Sequence, residues 1–245
     1  MWIATWNTEW RKAGSADAEI VRQRLRALEP EIVCLTETHT DFLSGWQGFT
    51  ICGSDDWGGP THGTRREVLL WSRNRWRDVD VVGSPNLPPG RFVKAITDTS
   101  LGEVTVVGVV IPYHMSNVRF GSRDRAMWEL HRLYLEALPA VTAGLEPNSI
   151  VLGDFNQRIP SKWVPAELRE KLRTALPGLN IVTGGLLEPL GAAAIDHIAV
   201  GKLFRAEQRQ AISNLAAGRE ISDHFGVAAR LALQTSDEQP VVVSE

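Results

Sequence analysis

Short apolar runs recur along this chain and outnumber its helical stretches. Trp2–Trp6, Ile32–Leu35, Val68–Trp71, Phe92–Ile96, Val104–Ile111, Ser149–Leu152, Ile195–Val200 and Phe225–Leu233 are brief and rich in β-branched, leucine and aromatic residues, a pattern that predicts strands. Helical spacing is confined to a few places. Asp17–Glu29 sets Val21, Leu25 and Leu28 on one face and stops at Pro30; Ser122–Leu138 aligns Met127, Leu130, Tyr134 and Leu138 ahead of Pro139; Ala166–Leu176 lies between Pro165 and Pro177. Each reads as an amphipathic helix ended by proline. Several successive strands have no helix between them, which argues against a repeated βαβ wheel. A mixed or antiparallel sheet system of the α/β kind, with helices outside, is expected instead.

The 245 residues suit one domain, expected over 1–233, with a frayed tail over 234–245. Hydrophobic residues at 43% and charged residues at 22% exclude wholesale disorder. A net charge of −3 speaks against a general polyanion-coating protein and leaves room for a local basic cleft. Two cysteines, Cys34 and Cys52, cannot build a disulfide framework or an all-cysteine zinc site. Cys34, inside an apolar run, reads as a small buried hydrophobe. No apolar run reaches the ~18 residues of a membrane span. The first residues lack the basic and long apolar regions of a signal peptide, so a soluble, cytoplasmic protein is expected.

The chemistry collects where the apolar runs end. Asn7 closes the first, Glu37 follows the second, and Ser149–Leu152 leads into Gly153-Asp154-Phe155-Asn156. Asp196-His197 follows Ile195, and Ser222-Asp223-His224 follows Ile221. Stiff strand ends are common places to display catalytic groups. Asn7, Glu37, Asp154, Asn156 and Asp223 offer oxygen, which suits Mg²⁺ or Mn²⁺ better than zinc. Carboxylates gathered in one cleft repel each other unless a cation or a shared proton is present. His224 and Asp196 can form a carboxylate–imidazole pair. Oxygen donors for a metal plus an oriented histidine suit hydrolysis of a phosphate ester by water. Taken singly, each group has a plainer reading: Asn7 as a turn cap, Glu37 as a loop acid, and His197 as a strand-end polar residue at the surface.

Thr5-Trp6-Asn7, Leu35-Thr36-Glu37-Thr38, Gly153-Asp154-Phe155-Asn156, Ile195-Asp196-His197-Ile198 and Ser222-Asp223-His224 together resemble the endonuclease/exonuclease/phosphatase superfamily of DNase I-like folds. The resemblance implies a four-layered α/β sandwich of two sheets with helices outside. It implies Glu37 as the central Mg²⁺ ligand, assisted by Asn7 and Asp223, with Mn²⁺ as a possible substitute. Asp154 and Asn156 would sit beside the scissile phosphate. His224, oriented by Asp196, would be the general base or would stabilise the phosphate. The family places a His or Tyr after the Val104–Ile111 strand, where Pro112-Tyr113-His114 stands. Alternation along that strand favours His114 over Tyr113. Arg91 and Arg123 are further candidates for contact with the phosphate.

The substrate is less sharply marked. Among the 26 Lys and Arg residues only Lys12, Lys94, Lys162, Lys171 and Lys202 are lysine. Arginines cluster at Arg65, Arg66, Arg73, Arg75 and Arg77, near Trp57, Trp71 and Trp76, and again over Arg119–Arg132. That combination is compatible with a nucleic-acid groove, and equally with arginine-rich solvated faces. Trp163 is the only aromatic residue between Asn156 and Asp196, which argues against an aromatic pocket for an abasic site. Three readings follow: a metal-dependent nuclease on DNA or RNA, a phosphatase or phosphodiesterase on a small molecule or lipid headgroup, and an inactive binding protein of the same fold.

Overall fold

The computed structural model describes residues 1–56, 63–116 and 125–234. One sheet contains β1 (Trp2–Asn7), β2 (Ile32–His39), β3 (Phe49–Cys52), β4 (Arg65–Ser72), β13 (Phe204–Ile212) and β16 (Gly226–Leu233), in the order β13-β16-β1-β2-β4-β3. The other contains β5 (Arg77–Asp80), β6 (Phe92–Thr99), β7 (Gly102–Val110), β8 (Ser149–Asp154), β9 (Leu179–Ile181) and β12 (Asp196–Gly201), in the order β5-β6-β7-β8-β12-β9. Two short hairpins, β10 (Leu186–Leu187) with β11 (Ala192–Ala193) and β14 (Leu215–Ala216) with β15 (Arg219–Glu220), complete the strands. The helices are α1 (Ala16–Arg26), α2 (Glu129–Ala137), α3 (Pro139–Thr142) and α4 (Ala166–Thr174). Only β1 with β2 and β7 with β8 run parallel, and each of these pairs is joined through helix.

Alternation of side chains assigns the layers. Ile3, Ile32, Cys34, Val68, Leu70, Ile150, Leu152, Ile198, Val227 and Ala229 meet in the core between the sheets. The residues between them point the other way. Ala4, Trp6, Val33, Leu35 and Leu69 pack against Val21 and Leu25 of α1, whereas Val107, Val109, Val151 and Ala199 pack against Tyr134 of α2, Leu138 at its C-cap and Leu172 of α4. The order is therefore helix, sheet, sheet, helices: the four layers expected. Each fully buried Leu, Ile or Val contributes about 1.5–3 kcal/mol relative to exposure.

Helix α1 begins where Ser15 Oγ accepts from the Ala18 N–H, has Asp17 and Glu19 in its first turn, and carries Arg24 and Arg26 in its last. The second helix is shorter than the periodicity predicts. Trp128 has φ +70°, so α2 starts at Glu129, and Met127 is exposed rather than aligned with the core. The expected start at Ser122 lies outside the described residues. Pro139 does not close the helical run, because at the first position of α3 its missing N–H costs nothing. Strand β13 escaped the sequence reading because it is an edge strand whose middle residues are exposed, leaving no apolar run.

Glycine is required at one position beside the site. Gly153 has φ +138°, and a Cβ there would overlap the Val109 carbonyl oxygen of the neighbouring parallel strand. Gly153→Ala is expected to cost at least about 3 kcal/mol, through strain and forced separation of β7 from β8. Urea denaturation checks this; an unchanged midpoint would mean the two strands can part without cost.

Candidate active site

The inner parity of the core continues past its apolar part. Asn7 follows Ile3 and Thr5, Asp154 follows Ile150 and Leu152, and Asp196 lies two residues before Ile198. All three are about 1% exposed. Core packing thus gives way to polar groups at one rim, where β1, β2 and β8 end and β12 and β16 begin. Asp154 and Asp196 are direct partners across the antiparallel β8–β12 ladder, an arrangement that repulsion makes unfavourable.

Hydrogen bonds fix each group. Asp154 Oδ1 accepts from the Asn156 N–H at 2.8 Å, and Oδ2 accepts from Asn7 Nδ2 at 3.2 Å. Asn156, at φ +52°, donates from Nδ2 to the Ile111 carbonyl at 2.8 Å. Asn7 Oδ1 accepts from the Glu9 N–H at 2.9 Å, so its amide presents a donor to the carboxylates. His224 Nδ1 donates to Asp196 Oδ2 at 2.6 Å. Asp196 Oδ1 is buried and has no partner among the described residues. Ser222 pins the last motif: its hydroxyl donates to the Asn7 carbonyl at 2.7 Å and accepts from the His224 N–H at 3.2 Å. Trp6 Nε1 adds a bond to the His224 carbonyl at 2.9 Å.

Glu37 departs from simple alternation. Continuing from Val33 and Leu35 would carry it to the α1 face, but φ is +45° and the side chain lines the cleft. Its carbonyl is held by the Trp10 N–H and the Thr8 hydroxyl. Such left-handed residues cost energy and are retained where the surroundings over-determine them. Glu67, which lies on β4 between the partners of Thr36 and Thr38, is buried and paired to Arg91 at 3.0 Å.

The electrostatics record a shortage of positive charge. Burial, then Glu67, raises the Glu37 carboxyl to about 7. Burial, then Asp196, raises Asp154 to about 8. At His224 burial disfavours the charged ring, but Asp196, Asp154 and Asp223 outweigh it and push it up to about 10. Ligating atoms of Asp154, Asp196 and His224 lie within 4.8 Å of one another. His224 and Asp196 are joined to each other, and Glu37 and the exposed Asp223 bring two further carboxylates to the same cleft.

That cleft, of about 580 Å³, brings together most of the residues marked in the sequence: Glu37, Asp154, Asn156, Asp223 and His224, with Tyr113 and His114 on its wall. Strand β7 ends at Val110, so alternation does not choose between Tyr113 and His114, and both face the cleft. Arg91 is not among its lining residues; it borders a separate cleft with Pro85–Pro89 and Pro112. Arg123 lies outside the described residues. Met127, Trp128, Arg158 and Trp163 also line the cleft and were not marked as site residues in the sequence. Among the described residues, aromatic surface therefore comes from Tyr113, His114 and Trp128, and from Trp163 in the interval after Asn156.

His197 is not a surface residue. It is fully buried, donates from Nε2 to the Gln157 carbonyl at 2.9 Å, and accepts at Nδ1 from Thr183 Oγ1 at 3.1 Å. His131, also fully buried, donates from Nδ1 to the Pro112 carbonyl at 2.7 Å and accepts at Nε2 from Gln157 Nε2 at 2.8 Å. Gln157 thus ties the Asn156 turn to the Tyr113–His114 wall. Its only sequence signal is its place directly after Asn156.

Residues 4–224 match the endonuclease/exonuclease/phosphatase family model, and the chain belongs to that family. No curated protein sequence matches it at a significant level. Among solved structures it is similar to the 3′-5′ exonuclease NExo from Neisseria meningitidis, at 18% identity and TM-score 0.67, covering 94% of this chain and 99% of that one. An AP endonuclease from Archaeoglobus fulgidus is similar at 16% identity and TM-score 0.68, covering 94% and 98%. TDP2 from D. rerio, complexed with a single-strand DNA product, is similar at 14% identity and TM-score 0.61, covering 95% and 98%. No helix among the described residues is long and apolar enough to cross a membrane.

The His131 bonds require the neutral ring, and burial lowers its pKa to about 4. The unfolded chain binds that proton near pH 6.5, so this contribution to stability is present at neutral pH and is lost as pH falls toward 4. Between pH 7 and pH 5 the loss is expected to be about 2 kcal/mol. Urea midpoints for wild type and His131→Gln at both pH values check this. The variant should be less stable at pH 7 and lose less than wild type on acidification; an equal loss in both would contradict it.

Proposed function

We propose that this chain is a divalent-cation-dependent phosphodiesterase that cleaves nucleic acid by in-line attack of water, with Mg²⁺ or Mn²⁺ as the cation. The carrying observation is the convergence of Glu37, Asp154, Asn156, Asp223 and His224 on one cleft, with His224 backed by Asp196 at 2.6 Å. The 3′-5′ exonuclease and AP endonuclease activities named for relatives of the fold support nucleic acid as substrate. Glu37 and Asp223 are the carboxylates for the cation, with Asn7 positioned behind them. A cation bound there supplies Lewis-acid stabilisation of charge on a phosphoryl oxygen.

The remaining roles follow from the hydrogen bonds. Both oxygens of Asp154 are held by donors, so its carboxylate is aimed rather than free to turn, as a base that takes a proton from the attacking water must be. His224, charged and oriented through Nδ1, presents Nε2–H to a phosphoryl oxygen. Asn156 spends one Nδ2 hydrogen on Ile111 and has the other for the phosphate. His114 and Tyr113 border the same phosphate space.

The test is a substrate panel with Mg²⁺ or Mn²⁺: supercoiled plasmid, single-stranded DNA, RNA, a chromogenic phosphodiester and a phosphomonoester. Cleavage of nucleic acid is expected, abolished by EDTA and reduced roughly 10²–10⁴-fold in Asp154→Ala, the range for losing a general base. Hydrolysis of the small esters alone would make the chain a small-molecule phosphoesterase. No hydrolysis together with no Mg²⁺ or Mn²⁺ binding would make it a binding protein of this fold.

A further inference from the structure

Trp163 is 91% exposed, more than any other large apolar side chain among the described residues. The loop beneath it is nevertheless firmly held. Ser161 Oγ accepts from the N–H groups of Trp163 and Val164 at 3.1 and 3.3 Å, Val164 is buried, and Pro165 caps α4 immediately after. A pinned backbone thus presents an indole to solvent at the edge of the cleft that holds Asp154, Asn156 and His224. Arg158, exposed and in no ion pair among the described residues, lines the cleft beside it.

A phosphate at the centre of the cleft fixes one end of a ligand, and Trp163 meets what is attached to it. Arg158 and Ser161 share the cleft with the indole, and the exposed Lys162 precedes it in the chain. Cationic groups beside one flat π-face suit a planar group carried on a phosphate backbone. Inside a duplex both faces of a base are covered by its stacked neighbours, whereas an unpaired base next to any bond along the strand offers a face to a side chain. We infer that Trp163 stacks on an unpaired base next to the bond that is cleaved, so that the chain acts on single-stranded nucleic acid. This inference rests on the nuclease reading above.

The test compares wild type, Trp163→Ala and Trp163→Phe on an eight-nucleotide single-stranded DNA with Mg²⁺. A second series carries one abasic nucleotide moved along the strand. Loss of one base–aromatic stack is expected to lower kcat/KM of Trp163→Ala roughly 10- to 100-fold, mostly through KM. Trp163→Phe should recover most of it, and the melting temperature of both variants should match wild type. One abasic position should impose the same loss on wild type and add nothing to Trp163→Ala. A blunt duplex of the same sequence should be cleaved at least about 10-fold more slowly by wild type. Equal kcat/KM for wild type and Trp163→Ala, an abasic penalty that persists undiminished in Trp163→Ala, or a duplex cleaved as fast as the single strand would overturn the inference while leaving the nuclease reading intact. Wild type that hydrolyses a phosphomonoester but no oligonucleotide would overturn both.

Discussion

Two buried aspartates facing each other across one β-ladder are the constraint to which the rest of the site answers. Asp154 and Asp196 occupy paired positions where hydrophobic side chains would pack without repulsion. His224 offsets part of that cost from the opposite sheet, joined to Asp196 at 2.6 Å. The ionic contact therefore ties the two sheets together at the end where their apolar core stops. Glu37 adds a further acid, and among the described residues Arg158 is the only Lys or Arg that borders the shared cleft. A fold selected for stability alone would not gather these groups, and their arrangement is economical only if a cation or a phosphate completes it.

The sandwich supplies the rigidity that such a cluster needs. Asn7, Asp154 and Asp196 share the inner parity of strands whose other inner residues form the core, so their placement follows from core packing. The connecting turns are fixed by side chains that never reach the cleft. Ser222 clamps the Asp223–His224 turn to the end of β1, and Gln157 with His131 and His197 joins the Asn156 turn to the Tyr113–His114 wall. Polar groups on strand ends, with a supporting layer of satisfied hydrogen bonds, are held in a tight geometry.

The shared cleft of Glu37, Asp154, Asn156, Asp223 and His224 was legible in the sequence because these residues sit directly beside apolar runs. The layers were legible for the same reason, since alternating apolar residues mark buried strands. Polar edge strands such as β13 gave no such signal. His197 was misread because a histidine beside an aspartate looks like a surface pair, and nothing local reveals that Gln157, distant in sequence, will bury it. The aromatic wall was equally hidden: Trp128 was counted into a helix, and only its left-handed backbone and its stacking near His114 place it at the cleft. Long-range packing decides these positions, and no periodicity records it.

The proposal that binds the site together is that Glu37 and Asp223, beside the buried Asp154 and Asp196, hold a divalent cation. The most direct measurement is the unfolding temperature by calorimetry as Mn²⁺ is raised from EDTA conditions, with Glu37→Gln in parallel. A cation bound only by the folded chain must raise the midpoint in proportion to the logarithm of its concentration once it exceeds the dissociation constant. That rise is expected for wild type, with a markedly weaker one for Glu37→Gln. A wild-type midpoint that stays flat through millimolar Mn²⁺ would contradict it.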